Sequence, residues 1–155
     1  MHPERRIKEL GLKLPPSLGT LPRELFAPFV IAGSIGYVAS HGPLLPSGRM
    51  ITGKVGLDLD ADAAVAASRQ AGLSILATLK DQLKDLTRVR RLLKSLVMIN
   101  CTPEFAGHVQ LADGFSRLFV EVLGQDAGRG VRSAIGVNSL PAGVPVAIEV
   151  VVEIT

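Results

Sequence analysis

The chain is 155 residues long, 47% hydrophobic and 20% charged, with a net charge of +3. Those proportions exclude a disordered chain and fit one domain, long enough to bury about 70% of the surface its unfolded form exposes. Trp is absent and aromatic residues are only 4%, so the core must be aliphatic, and neither a base-stacking platform nor a strong field for a polyanion is expected.

Cys101 is the single cysteine, which rules out an internal disulfide and fits a reducing, cytoplasmic setting. The start, His2-Pro3-Glu4-Arg5-Arg6, has an acid and no apolar stretch behind it and does not read as a signal peptide. Residues 4–12 predict a short helix stopped near Gly11, and Pro15-Pro16 forces an extended stretch. No charged side chain occurs between Glu24 and Arg49, a length that could cross a bilayer. Pro28, Gly33, Gly36, Gly42, Pro43 and Pro46 interrupt that run and would leave backbone groups unsatisfied in lipid, so no membrane span is expected. The run reads instead as one or two strands over residues 29–40, broken at Gly33 and Gly36, then a Gly/Pro loop over 41–48 and a short strand over 50–57. Gly48-Arg49-Met50-Ile51-Thr52-Gly53-Lys54 fits the opening of a phosphate loop. Val55 stands where the magnesium-binding hydroxyl is needed and no helix begins there, so the stretch reads as a turn.

The clearest helix covers residues 61–85. Asp58, Asp60 and Asp62 supply N-cap and first-turn anions, and Ala64, Ala67, Ala71, Ile75, Leu79 and Leu83 recur at helical spacing. The alanines predict a close approach to a sheet. Residues 89–99 read two ways. Val89, Leu92, Leu93 and Leu96 keep a helical period, whereas Leu96-Val97-Met98-Ile99 reads as a buried strand. A second helix is predicted over 103–123, with Phe115, Leu118, Phe119 and Val122 on one face and Gly124 as its stop. Val131, Ser133, Ile135 and Val137 then alternate with Arg132, Ala134, Gly136 and Asn138. A turn over 139–143 leads into a last strand over 144–154, whose apolar face runs Val144, Val146, Ile148, Val150, Val152, Ile154. The order is strands, helix, strand, helix, hairpin: one α+β domain over residues 1–155, with helices on one face of the sheet.

Few residues carry chemistry. His2, His41 and His108 are far apart and make no metal-ligand spacing; each reads as a loop or surface histidine, and no metal or organic cofactor is expected. Arg88, Arg90, Arg91 and Lys94 form a basic cluster after an acidic helix end, which reads as a solvated face with local ion pairs. Arg132 has Ala134 and Gly136 as its neighbours on the same strand face. A guanidinium with that much room could clamp a carboxylate through two parallel hydrogen bonds; on pattern alone it is also an arginine on a solvated face.

Arg132-Ser133-Ala134-Ile135-Gly136-Val137, then Leu140-Pro141 and the last strand, resembles the C-terminal signature of the RidA/YjgF family, also known as endoribonuclease L-PSP proteins. Gly53-Lys54-Val55-Gly56 before a helix holding Ala66-Ala67-Ser68-Arg69-Gln70, Asp85-Leu86-Thr87-Arg88-Val89, Thr102-Pro103-Glu104-Phe105 and Ser40-His41-Gly42 agree in order and spacing over nearly the whole chain. The resemblance implies a chorismate-mutase-like fold, with a mixed sheet and two helices packed on one face, and makes residues 89–99 mainly strand. It also implies a homotrimer with ligand clefts between subunits. Ala147 and Val151, alternating with Glu149 and Glu153, make the last strand's second face rather apolar for open solvent, in keeping with self-association.

In the family's deaminases an arginine holds the carboxylate of a 2-imino acid while water attacks the imine carbon. Arg132 matches that arginine, and Ser40 matches a pocket serine. Elsewhere the chain departs from the pattern. Phe29 stands for a pocket tyrosine, Asp113 for an asparagine and Ala134 for a cysteine. Ala147 replaces the glutamate linked to the catalytic water, with Glu149 two residues on. The resemblance thus implies a 2-iminobutanoate/2-iminopropanoate deaminase. Binding of a small carboxylate without turnover is the alternative, and RNA cleavage, which only the basic cluster supports, is a third reading.

Overall fold

The computed structural model describes residues 1–20 and 25–155. Glu24, which bounds the uncharged run, lies outside the described residues. Strict alternation makes β5 (Val146–Ile154) the middle of the structure: Val146, Ile148, Val150, Val152 and Ile154 are all buried, while Glu149 points the other way. Around it the sheet runs β1 (Phe29–Ala32), β2 (Ile35–His41), β5, β3 (Val89–Asn100), β4 (Val131–Val137) in that spatial order. Among the described strands only β3 and β4 pair in parallel; the other neighbours are antiparallel. Helices α2 (Ala61–Leu83) and α3 (His108–Leu123) cover one face, and α1 (Pro3–Glu9) packs against α3. This is the α+β architecture expected, with an open second face.

The register shows which residues share a face. Val97 lies between Ile148 and Ala134, and these face the helices; Leu96 lies between Glu149 and Ser133 on the open side. The open side is apolar at its β4 end, where Val131 and Ile135 are 69% and 44% exposed.

Several local expectations are corrected. β4 and β5 form no hairpin, because β3 lies between them. The segment after β4 crosses the end of β3, where the Asn100 amide donates to the Pro145 carbonyl at 2.9 Å. A turn signal reports that the chain reverses, not which strands pair. Residues 50–57 make isolated bridges only (Leu44 with Met50, Val55 with Leu59 and Cys101), since Gly53 and Gly56 take φ values of +125° and +89° and break the extended run. The second helix begins at His108 rather than residue 103, after a turn closed by the Phe105 amide on the Thr102 carbonyl. His41 is no surface histidine. A register shift between Val38 and His41 turns it inward to 1% exposure, where its ring bonds the Ala39 carbonyl and the Thr78 hydroxyl.

α2 is capped by Asp60, whose side chain accepts from the Ala63 amide at 2.8 Å. Its tightest approach is to α3. A Cβ on Gly114 would collide with the Val65 carbonyl oxygen, one on Gly72 would meet Leu118 and Phe115, and the buried Ser68 hydroxyl accepts from the Phe115 amide at the same crossing. Gly114→Ala should therefore lower the unfolding free energy by about 1–3 kcal/mol in urea, because the methyl meets rigid backbone. The helix-propensity gain of about 1 kcal/mol works against this loss. An unchanged or raised midpoint would show that the crossing is slack.

Candidate functional site

Arg132 lies on β4, on the side that faces the helices. Its Nη1 donates to Asp113 Oδ1 at 3.0 Å and to Ser116 Oγ at 2.8 Å, and its Nη2 donates to the Val109 carbonyl at 3.3 Å. Val109, Asp113 and Ser116 are spaced so that they form one stripe of α3, and this stripe runs along the edge strand. The arginine is therefore not on a solvated strand face. Its side chain keeps 20% of its exposure and that of Asp113 keeps 37%, so the pair is seated but reachable. None of these bonds uses Nε.

Ala134 follows on the same face, packed against the core. The other four positions singled out by sequence are distributed elsewhere within one chain. Phe29 is buried on β1, its ring over Gly36, at the opposite edge of the sheet from β4. Four strand spacings separate those edges, about 19 Å. Ser40 is exposed, turned outward by the same register shift that turns His41 in. Glu149 is on the open face, in a groove of ≈ 410 Å³ lined also by Val30, Tyr37, Lys94, Leu96 and Val151. Ala147 shares that face and is 5% exposed. The fold of one chain brings together Arg132, Asp113 and Ala134, and leaves Phe29, Ser40 and Glu149 apart.

Sequence reading missed Ser116, although its spacing from Asp113 on an amphipathic helix is the signal that would have found it. Lys54, in the loop-like glycine motif, is a structural lysine: its ammonium bonds Asn100 Oδ1 at 2.6 Å and the Asn138 carbonyl at 2.7 Å. The basic cluster is paired, but with the end of β5. Arg91 bonds Glu153 at 2.9 Å, Arg90 lies 4.0 Å from it, and Arg88 donates to the Thr155 carbonyl. Lys94 stands apart from these, in the open-face groove. Among the described residues no group of three or more His, Cys, Asp or Glu could hold a metal ion, and no helix is long and apolar enough to cross a membrane.

A mixed sheet of this order with its helices on one face is the chorismate-mutase-like fold. Residues 4–151 match the YjgF/chorismate mutase-like, putative endoribonuclease family, and the chain belongs to it, as the RidA/YjgF resemblance implied. The crystal structure of Atu1372, a protein of unknown function from Agrobacterium tumefaciens, is 37% identical with a TM-score of 0.89, over 99% of this chain and 94% of that one. A putative endoribonuclease from Shewanella oneidensis MR-1 is 27% identical with a TM-score of 0.91, over 99% of this chain and 100% of that one. Protein TCP17 of Trypanosoma cruzi is 32% identical over 148 residues, 96% of this chain and 91% of that protein.

Proposed function

We propose that this protein binds a small 2-imino or enamine acid through Arg132 and hydrolyses it to the 2-oxo acid and ammonia. The observation that carries the reading is the Arg132–Asp113 pair at 3.0 Å, a carboxylate-binding cation with a carboxylate base beside it. The guanidinium edge takes the substrate carboxylate as a bidentate pair. Asp113 accepts a proton from water as the oxygen attacks the imine carbon and the C=N π pair passes to nitrogen; it returns that proton to the nitrogen, and transfer of the hydroxyl proton to the same nitrogen lets the C–N bond break to give the 2-oxo acid and ammonia. Asp113 thereby does the work for which Ala147 has no polar atom. No metal or organic cofactor enters this scheme.

The site is completed, in this reading, between the copies of a homotrimer. Within one chain Phe29 and Ser40 lie on β1 and β2, beyond β5 and β3 from Arg132, and Glu149 is on the opposite face of the sheet, while the exposed Val30, Tyr37, Val131 and Ile135 supply an apolar face for a second copy to cover. A non-catalytic carboxylate-binding role is the second reading, favoured by the two alanines at 134 and 147, which can neither orient nor deprotonate water.

Ammonia release from a 2-imino acid generated in situ separates the two. Hydrolysis predicts acceleration by wild type, loss of at least about a hundredfold in Arg132→Ala, and a comparable loss in Asp113→Asn with the ligand still bound. No acceleration by wild type would leave binding alone. For the assembly, sedimentation should give three chains for wild type, and smaller species for Val131→Glu combined with Ile135→Glu. A wild-type monomer would contradict the shared cleft.

A further inference from the structure

At the far end of β4 a second constellation stands that the Arg132 site does not use. Cys101 follows β3, and its backbone is pinned on both sides: its amide donates to the Val137 carbonyl at 3.4 Å, and Val55 bridges the residues flanking it. His108 is the first residue of α3. Cys101 Sγ lies 3.8 Å from His108 Nε2, within hydrogen-bonding range for sulfur, and the Phe105 ring packs against the imidazole with centroids 5.1 Å apart. The pair opens into a cleft of ≈ 410 Å³ whose walls include Thr102, Phe105, Gly136 and Asn138. Gly136 makes the space. A Cβ there would lie 2.9 Å from both Cys101 Sγ and His108 Nε2, so only glycine leaves the pair together and open. The Lys54 ammonium, bonded to the Asn138 carbonyl at 2.7 Å, adds positive charge at the rim.

Arg132 is four residues before Gly136 on the same strand face, about 13 Å along it. The cleft at Cys101 is lined by neither Arg132 nor Asp113 nor Ser116, so the two sites share no lining residue. A partly exposed thiol, with an imidazole to take its proton and a cation nearby, is the microenvironment of a nucleophilic cysteine rather than of a packing one.

We propose that Cys101 and His108 form a second reactive site, which captures small α,β-unsaturated carbonyl compounds on the Cys101 sulfur. In the tautomer with its proton on Nδ1, His108 accepts the thiol proton at Nε2. The sulfur forms an S–C bond to the β-carbon as the C=C π bond breaks. The electron pair passes to the α-carbon and its carbonyl, and His108 returns the proton to the α-carbon. Nothing is oxidised or reduced, and no further reactant is required. The Thr102 hydroxyl, in the cleft wall, can donate to the carbonyl oxygen as its charge grows.

The test is the second-order rate of modification by N-ethylmaleimide at neutral pH, read by intact mass, with N-acetylcysteine as the free-thiol reference. Wild type should react at least about tenfold faster than the reference, and His108→Gln should lose at least about tenfold. Gly136→Ala should slow the reaction as well, because its methyl drives the pair apart. Arg132→Ala should react as fast as wild type. All variants should retain the wild-type circular dichroism spectrum, which separates loss of the pair from loss of the fold. A wild-type rate at or below that of the reference, or rates in His108→Gln and Gly136→Ala within twofold of wild type, would overturn the proposal. Equal loss in Arg132→Ala would overturn the separation of the two sites.

Discussion

β4 pairs in parallel with β3, and the chain between them is α3, so the helix must lie across the face that β4 presents to it. Gly128 and Gly130 allow the tight return. A Cβ on Gly130 would lie 2.8 Å from the Leu92 and Leu93 carbonyl oxygens, and one on Gly128 would meet the backbone of Phe119. Once the strand is seated, parity does the rest. Arg132, Ala134 and Gly136 face α3, and Val131, Ser133 and Ile135 face away. Both reactive constellations, the guanidinium with Asp113 and the thiol with His108, are residues of that one seam.

The energetics of the seam favour placement over stability. Arg132 is held by a carboxylate, a hydroxyl and a backbone carbonyl, bonds that together fix one rotamer. A partly exposed pair of this kind contributes little net stability, because water screens it and ordering the side chain costs entropy. What the three bonds give is a cation whose planar edge has a fixed direction, which is what recognition of a carboxylate requires. The stability lies elsewhere, in the aliphatic layer between β5 and the helices, where Val146, Ile148, Phe115, Leu118 and Phe119 are fully buried.

The most regular elements were legible in the sequence. β5 alternates without interruption, and α2 has its aspartate cap and its apolar stripe. Residues 89–99 were ambiguous for a reason visible in the register. Shifts between Val89 and Arg91, and between Leu92 and Lys94, insert extra residues, so that Val89, Leu92 and Ser95 are buried three apart before alternation resumes at Val97 and Ile99. A bulged strand thus imitates a helical period. The same device on β2 leaves Ser40 outside and turns His41 inside, against the surface position expected for the histidine. Arg132 could be singled out because its small neighbours and the family signature lie close to it in sequence. Its bonds to α3, and the meeting of Cys101 with His108 over Gly136, depend on how β3, α3 and β4 pack, which no local pattern encodes. The expected hairpin failed for the same reason: order along the chain is not order across the sheet.

In the proposed function Arg132 is the carboxylate handle and Asp113 the charge that balances it. Titration calorimetry with pyruvate, on wild type, Arg132→Ala and Asp113→Asn, tests that pairing without requiring turnover. Wild type should bind saturably, Arg132→Ala at least about tenfold more weakly, and Asp113→Asn more tightly, because there the guanidinium no longer shares its charge with a carboxylate. Arg132→Ala binding pyruvate as wild type does would contradict that role.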